Sequence, residues 1–189
     1  MEKEPFVSRA GQKLAHGLKE FCVEVRDLVV ADFGCSTGGF TDCLLQNGAA
    51  KVYAVDTAYG ELAYKLRIDP RVVVLERNNA MHVQLPEKVD IITVDTSWTR
   101  QGKVMPNVIT QIKDGGQVIS LVKPHYEATR AELFKGVAKP ESIPDILDRV
   151  EKYFMSIGLQ VLARTKSPIE GKRGGNEEWV YLLELVSRN

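Results

Sequence analysis

The chain has 189 residues, 44% apolar and 26% charged, with 25 basic and 25 acidic side chains and no formal net charge. That length and mix predict one soluble domain with a core of its own, so a disulfide-held miniprotein and a disordered tail are both excluded. The charge balance excludes a protein that grips nucleic acid by net charge alone, and the absence of a long apolar run or a signal-like start points to a cytoplasmic protein with no membrane role.

Residues 1–20 form an N-terminal segment in which Lys3, Arg9, Lys13 and Lys19 gather. Residues 28–33 read as a first buried strand, and 37–46 as the helix after it, stopped by Asn47-Gly48. Further strands are expected over 51–56, 72–75 and 89–94, then a helix near 105–112. Asp114-Gly115-Gly116 should turn the chain into a fifth strand over 117–122. Ser142 is placed as the cap of a helix whose Ile146, Leu147, Val150, Phe154 and Ile157 recur at spacings of three and four, with Gly158 closing it. The last two runs, 160–163 and 179–185, have no helix between them and should pair antiparallel. Alternating strands and helices predict an α/β domain with a mostly parallel sheet, and the absence of a linker or repeat makes 1–189 one unit. Cys22, Cys35 and Cys43 form no C-x-x-C pair, and His16, His82 and His125 have no metal-ligand spacing, so reduced thiols and no metal are expected.

In an open parallel sheet, ligands bind beyond the carboxyl ends of the strands, where strand order reverses. After the first strand the chain reads Gly34-Cys35-Ser36-Thr37-Gly38-Gly39-Phe40. Dinucleotide enzymes carry G-x-G-x-x-G there, with a middle glycine that admits the pyrophosphate; Ser36 stands in that place. This disfavours NAD or FAD and suits a nucleoside cofactor without phosphates, such as S-adenosylmethionine. Asp56, about twenty residues past the glycines, is placed to accept hydrogen bonds from ribose hydroxyls. Asn79, after the third strand, is placed at the adenine edge.

Four charged residues stand at the ends of segments that such a fold would bring together. Lys13 lies in Val7-Ser8-Arg9-Ala10-Gly11-Gln12-Lys13-Leu14, Asp95 and Lys123 each end an apolar run, and Glu178 precedes Trp179-Val180-Tyr181-Leu182-Leu183. A sugar hydroxyl is a poor nucleophile at neutral pH, so methylating it calls for a general base. A lysine can be that base if burial or a neighbouring cation lowers its pKa. Two lysines and two acids would supply the base, its tuning charge and its orienting partners.

The stretch around Lys13, the run Gly34-Cys35-Ser36-Thr37-Gly38-Gly39-Phe40-Thr41-Asp42-Cys43-Leu44-Leu45, the run Leu121-Val122-Lys123-Pro124-His125-Tyr126-Glu127 and Gly175-Asn176-Glu177-Glu178-Trp179 together resemble one family. It is the hemolysin A (TlyA-type) branch of the FtsJ-like ribosomal RNA 2′-O-methyltransferases, and the resemblance runs from about Phe6 to about Leu185. It implies a Rossmann-like domain with a seven-stranded, mostly parallel sheet and an antiparallel last strand. It also implies S-adenosylmethionine as cofactor, ribosomal RNA or a ribosomal subunit as partner, and a Lys-Asp-Lys-Glu tetrad at Lys13, Asp95, Lys123 and Glu178. On that pattern Lys123 is the base, Lys13 and Asp95 tune and orient it, Glu178 positions, and Asp95 also borders the cofactor.

The family's Asp-Val-Ser-Phe-Ile is here Asp95-Thr96-Ser97-Trp98-Thr99, which offers an indole to a splayed RNA base. Relatives of this type carry a small RNA-binding module ahead of the catalytic domain; here Val7 follows almost directly on Met1, which implies either a trimmed chain or a naturally short protein lacking that module. RNA would then meet basic rims around Arg9 and Lys13 and around Arg164, Lys166, Lys172 and Arg173. The alternative is a catalytically silent cofactor-binding module associated with RNA. A membrane-lytic role is disfavoured, because an amphipathic helix over 144–157 is what covers a sheet.

Overall fold

The computed structural model describes residues 5–171 and 175–186; Lys3, Lys172 and Arg173 of the basic clusters lie outside the described residues. Apolar runs become strands β1 (Val29–Phe33), β2 (Lys51–Asp56), β3 (Val72–Glu76), β4 (Val89–Val94) and β5 (Ile112–Val122). A two-residue pair, β6 (Leu133–Phe134) and β7 (Val137–Ala138), stands apart from the main sheet. β8 (Leu159–Lys166) and β9 (Trp179–Leu185) complete it. Its order is β3-β2-β1-β4-β5-β9-β8, parallel through β5, with β9 antiparallel to both neighbours. The chain builds outward from β1 to β3 and then returns to β4, so strand order reverses between β1 and β4. There Phe33 pairs with Val94, and the Asp95 N–H donates to the Phe33 carbonyl at 3.0 Å.

Helices cover both faces. On one lie α1 (Ala10–Glu20), α2 (Gly39–Gln46) and the short α3 (Tyr64–Arg67), on the other α4 (Gln101–Gln111) and α6 (Ile143–Ser156), while α5 (Pro124–Glu127) follows β5. Two buried clusters fill the space between helices and sheet. Leu14, Leu18, Phe40 and Leu44 belong to the first, and Val104, Met105, Val108, Ile146, Leu147 and Phe154 to the second.

Three local expectations are corrected. Ser142 holds the N-cap position of α6 but not the expected capping bond: it ends a 3₁₀ turn, Pro140–Ser142, has helical φ and ψ, and its side chain makes no cap. α4 starts four residues earlier than expected and carries Pro106 inside it. A proline lacks the N–H that would bond the carbonyl four residues back, that of Gly102, and the Tyr153 hydroxyl donates there instead at 3.3 Å. The glycine turn at 114–116 is a bulge within β5, where the register jumps from Val89–Ile112 to Ile91–Gln117.

The helical repeat in residues 10–20 is legible as buried Gly11, Lys13, Leu14, Gly17 and Leu18 at spacings of three and four. Leu14 is wholly buried in one cluster with Val180 of β9, so the helix carrying Lys13 is held down by core packing. Leu14→Ala is expected to lower stability by about 2–5 kcal/mol in urea titration at unchanged slope. A loss below about 1 kcal/mol would show that α1 does not depend on this contact.

Candidate active site

The turn after β1 is built by backbone strain and close approach. Gly34 and Gly38 have φ of 91° and 97°, in the left-handed region that favours glycine. A Cβ on Gly34 would stand 2.6 Å from the Asp95 carbonyl oxygen, and one on Gly38 2.3 Å from Leu66 Cδ1. The Gly34 and Cys35 N–H groups donate to the Val55 carbonyl at 2.9 and 3.1 Å, tying the turn to the end of β2. Asp56 accepts from the Ser36 N–H through one carboxylate oxygen and from the Ala58 N–H through the other, each at 2.8 Å. A second lone pair on each oxygen is left for hydroxyls.

Ser36 and Thr37 are exposed along the turn, and Gly38 caps α2 while Gly39 opens it. Phe40, expected along the cofactor, is 3% exposed and packs beneath the turn in the core. Asn79 is exposed after β3, where its side-chain oxygen accepts from the Met81 N–H at 2.9 Å.

Carboxylates surround this turn. Burial pushes the Cys35 thiol up, and the charges of Asp32, Asp56 and Glu76 push it further. Asp32, to which the sequence reading gave no role, is fully buried and accepts from the hydroxyls of Thr41 at 2.7 Å and Thr93 at 3.0 Å. Burial pushes its carboxyl up to about 7 against those hydrogen bonds, and Asp95 adds to the rise. An acid inside an otherwise apolar strand was the signal for it. A pyrophosphate would be repelled here, whereas a cationic sulfonium nucleoside fits the charge.

The four charged residues converge as two ion pairs. Lys123 Nζ lies 2.5 Å from Asp95 Oδ1 and 3.1 Å from the Thr96 carbonyl. Lys13 pairs with Glu178 across the sheet edge. Trp179 lies opposite Val122 in the β5–β9 register, so Glu178 and Lys123 face each other one step beyond. The result is a row of alternating charge, Asp95, Lys123, Glu178, Lys13, running along the carboxyl ends of β4 and β5, the start of β9 and α1. Lys13, Lys123 and Glu178 are each less than 10% exposed. Burial pushes Lys123 down, but the charge and hydrogen bond of Asp95 and the charge of Glu178 outweigh it and hold the ammonium above the ordinary lysine value. That reverses the expected tuning: the groups acting on Lys123 are acids.

The expected basic rim is weaker than its residue count. Arg164 pairs with Glu151, and Lys166 with Glu177 at 2.6 Å. Arg9, at the head of α1, has a buried guanidinium nitrogen with no hydrogen-bond partner among the described residues.

Comparisons with known proteins place the chain in a family. The FtsJ-like methyltransferase family matches residues 6–185. The Bacillus subtilis protein YqxC is 41% identical over an alignment of 189 positions that covers 95% of this chain and 65% of that protein. A Mycobacterium tuberculosis protein named 16S/23S rRNA (cytidine-2′-O)-methyltransferase TlyA is 36% identical, with 97% of this chain and 70% of that protein aligned. A solved structure from Streptococcus thermophilus superposes with a TM-score of 0.94 at 37% identity, covering 98% of this chain and 69% of that one. The chain thus spans about two thirds of the length of these relatives. By sequence and by fold, the chain belongs to the FtsJ-like methyltransferase family.

Proposed function

We propose that this chain transfers a methyl group from S-adenosylmethionine to a ribose 2′-hydroxyl of RNA, with ribosomal RNA, free or in a ribosomal subunit, as the substrate in the cytoplasm. The observation that carries the reading is the row Asp95–Lys123–Glu178–Lys13 beside a turn ringed by carboxylates. The relatives' names point the same way: TlyA is named for cytidine 2′-O-methylation of ribosomal RNA. No helix among the described residues is long and apolar enough to cross a membrane.

The cofactor supplies an electrophilic methyl on a sulfonium; the chain must position the hydroxyl and take its proton. Lys123 is the one group in the row buried between two acids at strand ends, and Asp95 and the Thr96 carbonyl fix its Nζ. Glu178 holds it from the other side and is itself neutralised by Lys13. As an ammonium, Lys123 orients the hydroxyl oxygen by donating to it. As a neutral amine, it accepts the hydroxyl proton at Nζ.

Because its folded-state pKa is raised, the neutral amine is a small fraction at neutral pH and grows about tenfold per pH unit. The rate of methyl transfer to ribosomal RNA at saturating cofactor is therefore expected to climb with a log–log slope of about one between pH 7 and 9. Lys123→Ala should cut kcat by about 10²- to 10⁴-fold and remove that slope, with cofactor affinity unchanged. A flat profile in the wild type, or a mutant within about threefold of it, rules out Lys123 as the base.

Asp56 gives an independent test of the cofactor site. Asp56→Ala removes the acceptor for the Ser36 and Ala58 N–H groups as well as for ribose. Calorimetry should find S-adenosylmethionine affinity reduced by about ten- to 150-fold, the scale of one hydrogen bond to a charged group, and a loss below about fivefold counts against the assignment. NADH binding more tightly than S-adenosylmethionine would refute the cofactor assignment.

A further inference from the structure

With no net charge and with Arg164 and Lys166 tied to acids, phosphate contacts are a weak basis for holding RNA. The carboxyl edge offers aromatic surface instead. Trp98, in the loop after β4, is 79% exposed, and its ring centroid lies 5.6 Å from that of Tyr126 on α5. Tyr126 is backed by the His125 ring at 4.2 Å and by Lys123 Nζ at 5.5 Å.

A second stack stands on the other side of the cofactor turn. Tyr59, in the loop after β2, is 69% exposed, with the Arg77 guanidinium 4.4 Å from its ring centroid. Its loop is preset, because the Ala58 N–H is held by Asp56 and the Gly60 N–H by Glu76. Trp98 and Arg77 share a further feature: both have left-handed backbone, at φ of 58° and 57°. Neither is glycine, and such strain collects at ligand-holding sites. Each therefore spends conformational energy to keep a flat group at the rim, in water, against an aromatic partner.

The strand order fixes the spacing. Tyr59 and Arg77 follow β2 and β3, Trp98 and Tyr126 follow β4 and β5, and the turn after β1 lies between. Three strand spacings separate the two stations, roughly 14 Å. We propose that these stacks are base-binding stations for one single-stranded stretch of RNA that crosses the cofactor turn, recognised by splayed bases more than by phosphates. The proposal rests on the RNA reading above and specifies the form of RNA: unpaired at the site, with one base stacked beside the target ribose at Lys123 and another beyond the cofactor turn.

The test is fluorescence anisotropy with a labelled single-stranded oligoribonucleotide of mixed sequence and with the same strand annealed into a duplex. Tyr59→Ala and Trp98→Ala should each weaken single-strand binding by about five- to 100-fold, the effect of losing one base–aromatic stack. Tyr59→Phe and Trp98→Phe keep a ring and should stay within about twofold. Cofactor affinity should be unchanged in all four, and the duplex should bind more weakly than the single strand. The proposal is overturned if the alanine variants bind the single strand like wild type, if the duplex is preferred, or if Tyr59→Ala loses cofactor affinity and not RNA affinity. Methyl transfer to ribosomal RNA by the wild-type protein separates the two levels. Transfer with indifferent stacking variants overturns only the stations; RNA stacking with no transfer by wild type overturns the methyltransferase reading.

Discussion

The structure depends on a balance of buried charge at one edge of the sheet. Asp95, Lys123, Glu178 and Lys13 alternate in sign, and three of the four are almost wholly buried. Taking one such ion out of water costs several kcal/mol, which only a well-placed partner offsets. Breaking one pair would leave its partner uncompensated, a loss of about 3–5 kcal/mol. The row therefore dictates that β4, β5, β9 and α1 meet at this edge, even though their charged residues are spread over 165 positions between Lys13 and Glu178. Core packing of α1 through Leu14 and Leu18 holds the last member in place.

The same balance explains the division of labour at the edge. Around the turn after β1 the ionisable groups are mostly acids: Asp56 and Glu76 lie to one side and Asp95 to the other, while Asp32 below, its carboxyl pushed up to about 7, is only partly charged at neutral pH. Glu76 is neutralised by Arg67 and Asp95 by Lys123, so the field is strongest over Asp56. A cationic cofactor is favoured there and a phosphorylated one is not. One strand further on, Lys123 brings a positive charge to the place where we propose that the hydroxyl is held. Asp95 belongs to both regions, since its carbonyl bounds the turn at Gly34 and its carboxylate fixes Lys123.

Much of this was legible in the sequence, for identifiable reasons. Strands buried on both faces leave continuous apolar runs, so 51–56 and 89–94 coincide with β2 and β4. The glycine pattern after β1 located the turn, and the charged ends of apolar runs located Asp95 and Lys123. What escaped depended on distant partners. The acids that hold Lys123 above its ordinary pKa, and Glu177 beside Lys166, meet those lysines only across strand registers, and Glu151 reaches Arg164 from α6. Ser142 has the composition of a cap, but the preceding 3₁₀ turn gives it helical backbone. Phe40 sits in a cofactor motif and yet faces inward, because α2 starts at Gly39 and turns its ring into the core. Motif residues thus mark a site without saying which of them touch the ligand.

The central claim is that the charged row methylates an oxygen of ribose and not a base. It is tested most directly by labelling ribosomal RNA with the protein and methyl-tritiated S-adenosylmethionine, then hydrolysing the RNA in alkali. A 2′-O-methyl group blocks cleavage at its own phosphodiester, so the account predicts that the label is recovered in alkali-stable dinucleotides. Label recovered in ordinary mononucleotides would place the methyl on a base and contradict the account.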